Sequence, residues 1–361
     1  MKRVLLVSLV ILVLGNLIIT GCAPPAPTPA PAPAPAAATP LAPVKTIELK
    51  FAHHNAPASV AAKSLETWAK KVEDATKGVI KITIYPAQTL CKSQDTFEAI
   101  KTQVTDIGWA YIGLFPGPFP MTSIMWLPCI SVPTAEISSR ILMDLYNKFP
   151  EMQKEYASTK TLFLHSDAPA IIGTSKKPIR KLEDLKGLKL RITGDLPIEF
   201  MKSQGAVPVA LPPGDMYLNV QKNVVEGYSI SLGGLSNFKM EEVTKYITEA
   251  NWYAGAFFCL MNLDKWNSLP PDIQKAIDTV SSKAGSDIWA RDQDLDQDRL
   301  RKMYVDKYGI ELINLSVEES ARWRQAAKPI HDKWASDIEA KGLPGKKVFD
   351  EFIQLVQKYT R

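Results

Sequence analysis

In residues 45–52 the apolar side chains Ile47, Leu49 and Phe51 alternate with polar ones, the period-two pattern of a half-buried strand. Ala61, Leu65, Trp68, Ala69 and Val72 then recur at helical spacing, leaving Ser64, Lys70, Lys71 and Glu73 for the water side and Gly78 as a C-terminal cap. Alternation resumes at Ile80, Ile82 and Ile84, so the chain opens as a β-α-β unit with an expected right-handed crossover. A helix over 95–102 and a strand over 106–111, with Trp109 and Tyr111, repeat the unit. Further strands are predicted at 161–165, 188–192, 207–211 and 224–229, with a helix from Thr134 and short helices between. This order predicts parallel sheets in two α/β domains, about 315 residues being too many for one ordinary core. Ligands of such sheets bind beyond the carboxyl ends of the strands, which places His53, His54, Trp109 and Tyr111 at a cleft edge. From Ser268 and Pro270-Pro271 only Gly285 interrupts a helical run before Gly309. One helix of roughly 35 residues, about 50 Å long, is predicted there as a brace across both domains. Ser316 with Glu319 reads as a capping box for the helix that follows.

The N-terminus sets the compartment. Met1-Lys2-Arg3 precedes an apolar run too short for a membrane span, as in a secretory signal peptide over 1–21. The run ends in Ile19-Thr20-Gly21-Cys22, which resembles the lipobox of bacterial lipoproteins, with Cys22 the lipidated residue. Residues 22–45 are almost entirely Ala and Pro and bury no core; as extended polyproline they form a tether of roughly 60 Å. The net charge of +5, from 43 Lys and Arg against 38 Asp and Glu, is too small and dispersed to argue for nucleic-acid binding. Cys91, Cys129 and Cys259 remain, an odd number for an exported chain. Their wide spacing fits no zinc pattern; Cys91 with Cys129 as a disulfide and three free thiols both stay open.

No nucleophile elbow, Walker loop, dinucleotide fingerprint or zincin motif occurs, so an enzyme reading has little support and no cofactor or metal is expected. Adjacent His53 and His54 point to opposite faces of an extended chain and cannot chelate together. The acidic stretch 292–298 lies in the predicted long helix and reads as a solvated face. Trp126, Trp252, Tyr253, Phe257 and Phe258 suit either a core or a stacking surface, with the first two of the last four, Trp252 and Tyr253, the better pocket candidates. Arg191 is placed differently. It lies at the end of a short apolar run, separated by one residue from Thr193-Gly194, where a strand leaves a sheet. A guanidinium presented there offers two parallel donors to a carboxylate in a cleft.

Five stretches carry a resemblance: "FAHHNAPASVAAKSLETWAKKVEDATKGVIKITIYPAQTL" (51–90), "DIGWAYIGLFPGPFPMTSIMWLP" (106–128), "KLEDLKGLKLRITG" (181–194), "QGAVPVALPPGDMYLNVQKNVVEGY" (204–228) and "MNLDKWNSLPPDIQKAI" (261–277). In this order they resemble the extracytoplasmic solute-binding proteins of tripartite ATP-independent periplasmic (TRAP) transporters. The resemblance implies a two-lobed periplasmic-binding-protein-like α/β fold with a long helix spanning both lobes. It implies lobe I over 46–165 and 255–297 and lobe II over 166–254 and 298–361, closing on a ligand whose carboxylate Arg191 grips. His54, Trp109, Tyr111, Tyr217, Ser229 and His53 complete the expected ligand contacts. The implied partners are a small organic acid, the TRAP permease subunits and, through the anchor, a membrane; no nucleic acid is expected. Family members for sialic acid and many dicarboxylates carry a second arginine just before the stretch "TSKKPI", where this chain has Ile171-Ile172. Residues 226–231, "EGYSIS", also depart from the family's more polar pattern. Fewer ionic donors and more apolar surface imply a monocarboxylate with an apolar or aromatic body. A hydrolase, or a binding protein serving an ATP-driven importer or a sensory receptor, are the rival readings.

Overall fold

In the computed structural model, which describes residues 46–130, 132–295 and 297–360, eleven strands form two sheets. The strands are β1 (Ile47–Ala52), β2 (Ile80–Tyr85), β3 (Ile107–Tyr111), β4 (Thr159–Ser166), β5 (Ala170–Thr174), β6 (Lys189–Arg191), β7 (Val207–Val209), β8 (Gly227–Ser231), β9 (Tyr246–Glu249), β10 (Ala256–Asn262) and β11 (Glu311–Asn314). The first sheet runs β2-β1-β3-β10-β4 and the second β11-β9-β5-β8-β6-β7, giving a two-lobed α/β fold. The expected signal peptide, Cys22 and the expected tether up to residue 45 lie outside the described residues.

The sheets are mixed, which corrects the all-parallel expectation. β10 is antiparallel to both β3 and β4, and β5 is antiparallel to both β8 and β9. The cause is the path of the chain. β4 ends the first sheet and β5 begins in the second after residues 167–169; β9 leaves the second and β10 enters the first after residues 250–255. Both crossings lie at the edge where parallel strands β1, β3, β6 and β8 end, so one rim collects four carboxyl ends and two chain crossings.

Helix Val60–Ala75 packs its apolar stripe on the first sheet, with Leu65, Trp68 and Val72 buried. Ser64, expected to face water, is buried, and its hydroxyl donates to Asp292 at 2.7 Å. The single long helix expected after Pro271 is three: Pro271–Val280, Lys283–Asp294 and Gln297–Tyr308. Ser282 breaks the first from the second, with a left-handed φ of 52° and its N–H donated to the Leu162 carbonyl of β4. Gly285 follows because the helix backbone there lies on the Phe163 ring, 2.6 Å from where a Cβ would stand. The acidic stretch is not simply solvated either: Asp294 accepts from the Ala135 and Glu136 N–H groups and caps helix Ala135–Lys148.

The helix that reaches both sheets is the 24-residue Val317–Ala340, about 36 Å long. Ser316 caps it by accepting from the Glu319 N–H, but Glu319 does not return the bond as a capping box would. Its carboxylate instead accepts from the Leu182 N–H beside the second sheet, while Trp334 donates to Ser123 beside the first. The C-terminal helix Gly345–Tyr359 lies against helix Ala135–Lys148, joined by Tyr359 to Asp144 and Lys148 to Glu351. Cys91, Cys129 and Cys259 are free thiols.

A candidate ligand cleft

Where strand ends and crossings meet, the molecule holds a cleft of about 620 Å³ of empty space, part of it open to solvent. Arg191, at the carboxyl end of β6, sits in its wall with only 3% of its surface exposed. Gly194 makes this possible. Its φ of 88° turns the chain out of the strand into helix Asp195–Ser203, a conformation that a side chain would strain. Nε of Arg191 donates to the Leu211 carbonyl at 2.9 Å and Nη1 to the Ser229 carbonyl at 3.5 Å; Nη2 has no partner. Among the described residues no carboxylate pairs with this guanidinium. Burial lowers its pKa from the ordinary value, and Tyr253 and Tyr111 beside it act in the opposite direction. A desolvated cation held by two neutral carbonyls is an unfinished electrostatic arrangement that an anion would complete.

The facing wall is aromatic. Trp109 stacks on Phe257 with ring centroids 5.0 Å apart and lies tilted against Trp289 at 4.8 Å and His54 at 5.0 Å. Nε1 of Trp109 donates to Nε2 of buried His165 at 2.7 Å, so His165 carries its proton on Nδ1. His54 is neutral: burial, then His53, then Arg191 lower its pKa to about 3. It therefore serves as a flat ring and not as a second cation. Five buried polar atoms lining this cleft lack a hydrogen-bond partner: Arg191 Nη2, Tyr111 Oη, His54 Nδ1, Asn55 Nδ2 and Gln293 Nε2. Tyr111 does have Thr193 and Tyr253 close by, without a bond of ordinary geometry. So many unsatisfied groups in one concavity mark a place built for something else to fill.

The cleft brings together Arg191, His54, Trp109, Tyr111 and Ser229 of the residues expected from sequence. Ser229 meets Arg191 through its carbonyl, because its hydroxyl is already engaged, donating to Ile171 and accepting from Trp252. Tyr217 and His53 are not among the lining residues. Tyr217 points outward and donates to Glu242 at 2.9 Å, and His53 is buried behind the wall, where Nδ1 accepts the Asn55 N–H. Of the ambiguous aromatics, Tyr253 and Phe257 line the cleft while Trp252 is core. Sequence reasoning missed Asp167, Trp289, Gln293, Asn55 and Phe238. Ile171 and Ile172 are buried apolar residues. No group of three or more potential metal ligands occurs among the described residues, and none of their helices is long and apolar enough to cross a membrane.

The profile of the bacterial extracellular solute-binding proteins, family 7, matches residues 51–337. The C4-dicarboxylate-binding periplasmic protein of Rhodobacter capsulatus is 25% identical over 304 residues, covering 83% of this chain and 90% of that one. A TRAP solute-binding protein of Rhodoferax ferrireducens, solved with copurified benzoate, superposes with a TM-score of 0.82 at 25% identity, over 87% of this chain and 99% of that one. A marine metagenome TRAP solute-binding protein specific for aromatic acid ligands, solved with metahydroxyphenylacetate, gives a TM-score of 0.82 at 27% identity, over 87% and 100% of the two chains. The chain therefore belongs to the family 7 extracellular solute-binding proteins, the binding components of TRAP transporters, which deliver small organic acids to a membrane permease.

Proposed function

We propose that this chain is the exported, lipid-anchored receptor of a TRAP transporter for an aromatic monocarboxylate. It captures the acid between its lobes, 46–165 with 255–297 and 166–254 with 298–361, and hands it to the permease. The observation that carries this reading is the lone buried guanidinium of Arg191 facing a wall of stacked rings. One cation suits one carboxylate, and rings stacked on one another present an apolar surface that suits a flat apolar body. Two structural neighbours solved with benzoate and with metahydroxyphenylacetate support the same class. Arg191 would hold the carboxylate; Trp109, Tyr111 and His54 would contact the ring. Anchoring at Cys22 rests on the lipobox-like ending of the signal peptide.

Calorimetry and thermal melts of residues 46–361 with benzoate, phenylacetate and succinate test this. An aromatic acid at 100 times its Kd should stabilise the protein by about 2.7 kcal/mol, and succinate should not. Arg191→Ala should weaken binding by roughly two to four powers of ten, since it leaves the ligand's buried anion unpaired. Arg191→Lys should recover part, keeping charge without the planar fork. The unliganded Arg191→Ala protein should melt no lower than wild type, because it loses an uncompensated buried charge. Near-native affinity in folded Arg191→Ala would remove the carboxylate reading.

A further inference from the structure

The cleft has a second polar end. Asp167, on the crossing from β4 to β5, lines it, with Oδ1 accepting from Trp289 Nε1 at 3.2 Å and Oδ2 from Ser231 Oγ at 3.0 Å. A carboxylate has about four acceptor positions, so roughly two stay unused. No Lys or Arg pairs with it among the described residues. Gln293 follows Trp289 by one helical turn and so shares its face; it is 5% exposed, lines the cleft, and its Nε2 is without a partner. An acceptor and an unspent donor thus line the same cleft.

The spacing of the two ends is set by β8. The Ser229 carbonyl meets Arg191 and the Ser231 hydroxyl meets Asp167, so two residues of one strand tie both polar ends to the same cleft. A cation at one end and an acceptor at the other suit an aromatic ring bearing a carboxylate and, away from it, a small polar group. A second carboxylate is the wrong group for the far end, since it would confront Asp167 with like charge.

We propose that Asp167 and Gln293 form a hydroxyl-recognition subsite, and that the ligand is a hydroxy-substituted aromatic acid. Asp167 accepts the hydroxyl proton while Gln293 donates to the hydroxyl oxygen. The inference rests on the aromatic-acid reading above and adds its distal group.

The test is calorimetry of the mature protein with benzoate, 3-hydroxybenzoate, 4-hydroxybenzoate and 3-methoxybenzoate. Burial raises the Asp167 pKa to about 6, so pH 8 keeps it ionised. One of the hydroxybenzoates should bind at least tenfold tighter than benzoate, and the methoxy compound, which has no proton to give, should show no gain. Asp167→Ala and Gln293→Leu should each shrink the preference, read as the ratio of hydroxybenzoate to benzoate affinity within each variant, the first to within about twofold. Retained benzoate binding also shows that a variant is folded. If benzoate binds and neither hydroxyl isomer improves on it, or if the preference survives in Asp167→Ala, the subsite is wrong and the aromatic-acid reading stands. If none of the four binds wild type, both fall.

Discussion

At the scale of single residues, the histidines show how burial sets charge. His53 and His54 have pKa values lowered to about 4 and about 3, chiefly by burial, and burial puts His165 well below its ordinary value too. In the unfolded chain each takes a proton near pH 6.5 that the folded protein refuses. The stability they permit is therefore complete above pH 6.5 and is lost as pH falls towards their folded values. His53→Asn isolates one of them, because the amide oxygen can accept the Asn55 N–H in place of Nδ1. Between pH 7 and pH 5 wild type should lose about 2 kcal/mol relative to this variant, read from urea unfolding at both pH values. Parallel slopes would mean that His53 titrates normally in the folded state. Residue-scale legibility was uneven for a physical reason. Arg191 could be read from the sequence because a charge at a strand end followed by Thr-Gly is a local pattern. Asp167, Trp289 and Gln293 could not, since a crossing and a helix face become cleft only through tertiary folding.

Elements were legible where their periodicity was local. β1, β2 and helix Val60–Ala75 follow the alternation and the stripe that predict them. β5 and β10 were missed because every residue in both is buried, so neither alternates. Their antiparallel pairing was hidden for the same cause. The predicted long helix failed at Ser282, whose break is enforced by the Leu162 carbonyl of a strand more than a hundred residues away. Gly285, read only as an interruption, is a packing requirement: a methyl group there would stand 2.6 Å from the Phe163 ring. Gly285→Ala should cost about 1 to 3 kcal/mol, the usual penalty for overpacking a filled site, and chemical denaturation measures it. A loss well below 1 kcal/mol would show that the Phe163 ring yields.

For the whole molecule, the proposed order of signal, lipidated cysteine, Ala/Pro tether and two-sheet body makes a prediction at Cys22. Cys22→Ser should leave the protein uncleaved or released into the soluble fraction, which fractionation and mass spectrometry of the N-terminus can follow. Unchanged processing and membrane association would refute the anchor. Short crossings at 167–169 and 250–255 join the sheets on the side of the cleft that carries Asp167, Tyr253 and Gly255. If the halves close on a ligand as proposed, two short cords along one edge would let them swing like the covers of a book, with helix Val317–Ala340 as a further link between them. The contents of the cleft would then fix the angle at which the covers rest. A guest of the wrong thickness would be reported on the outer faces, far from any atom that touches it.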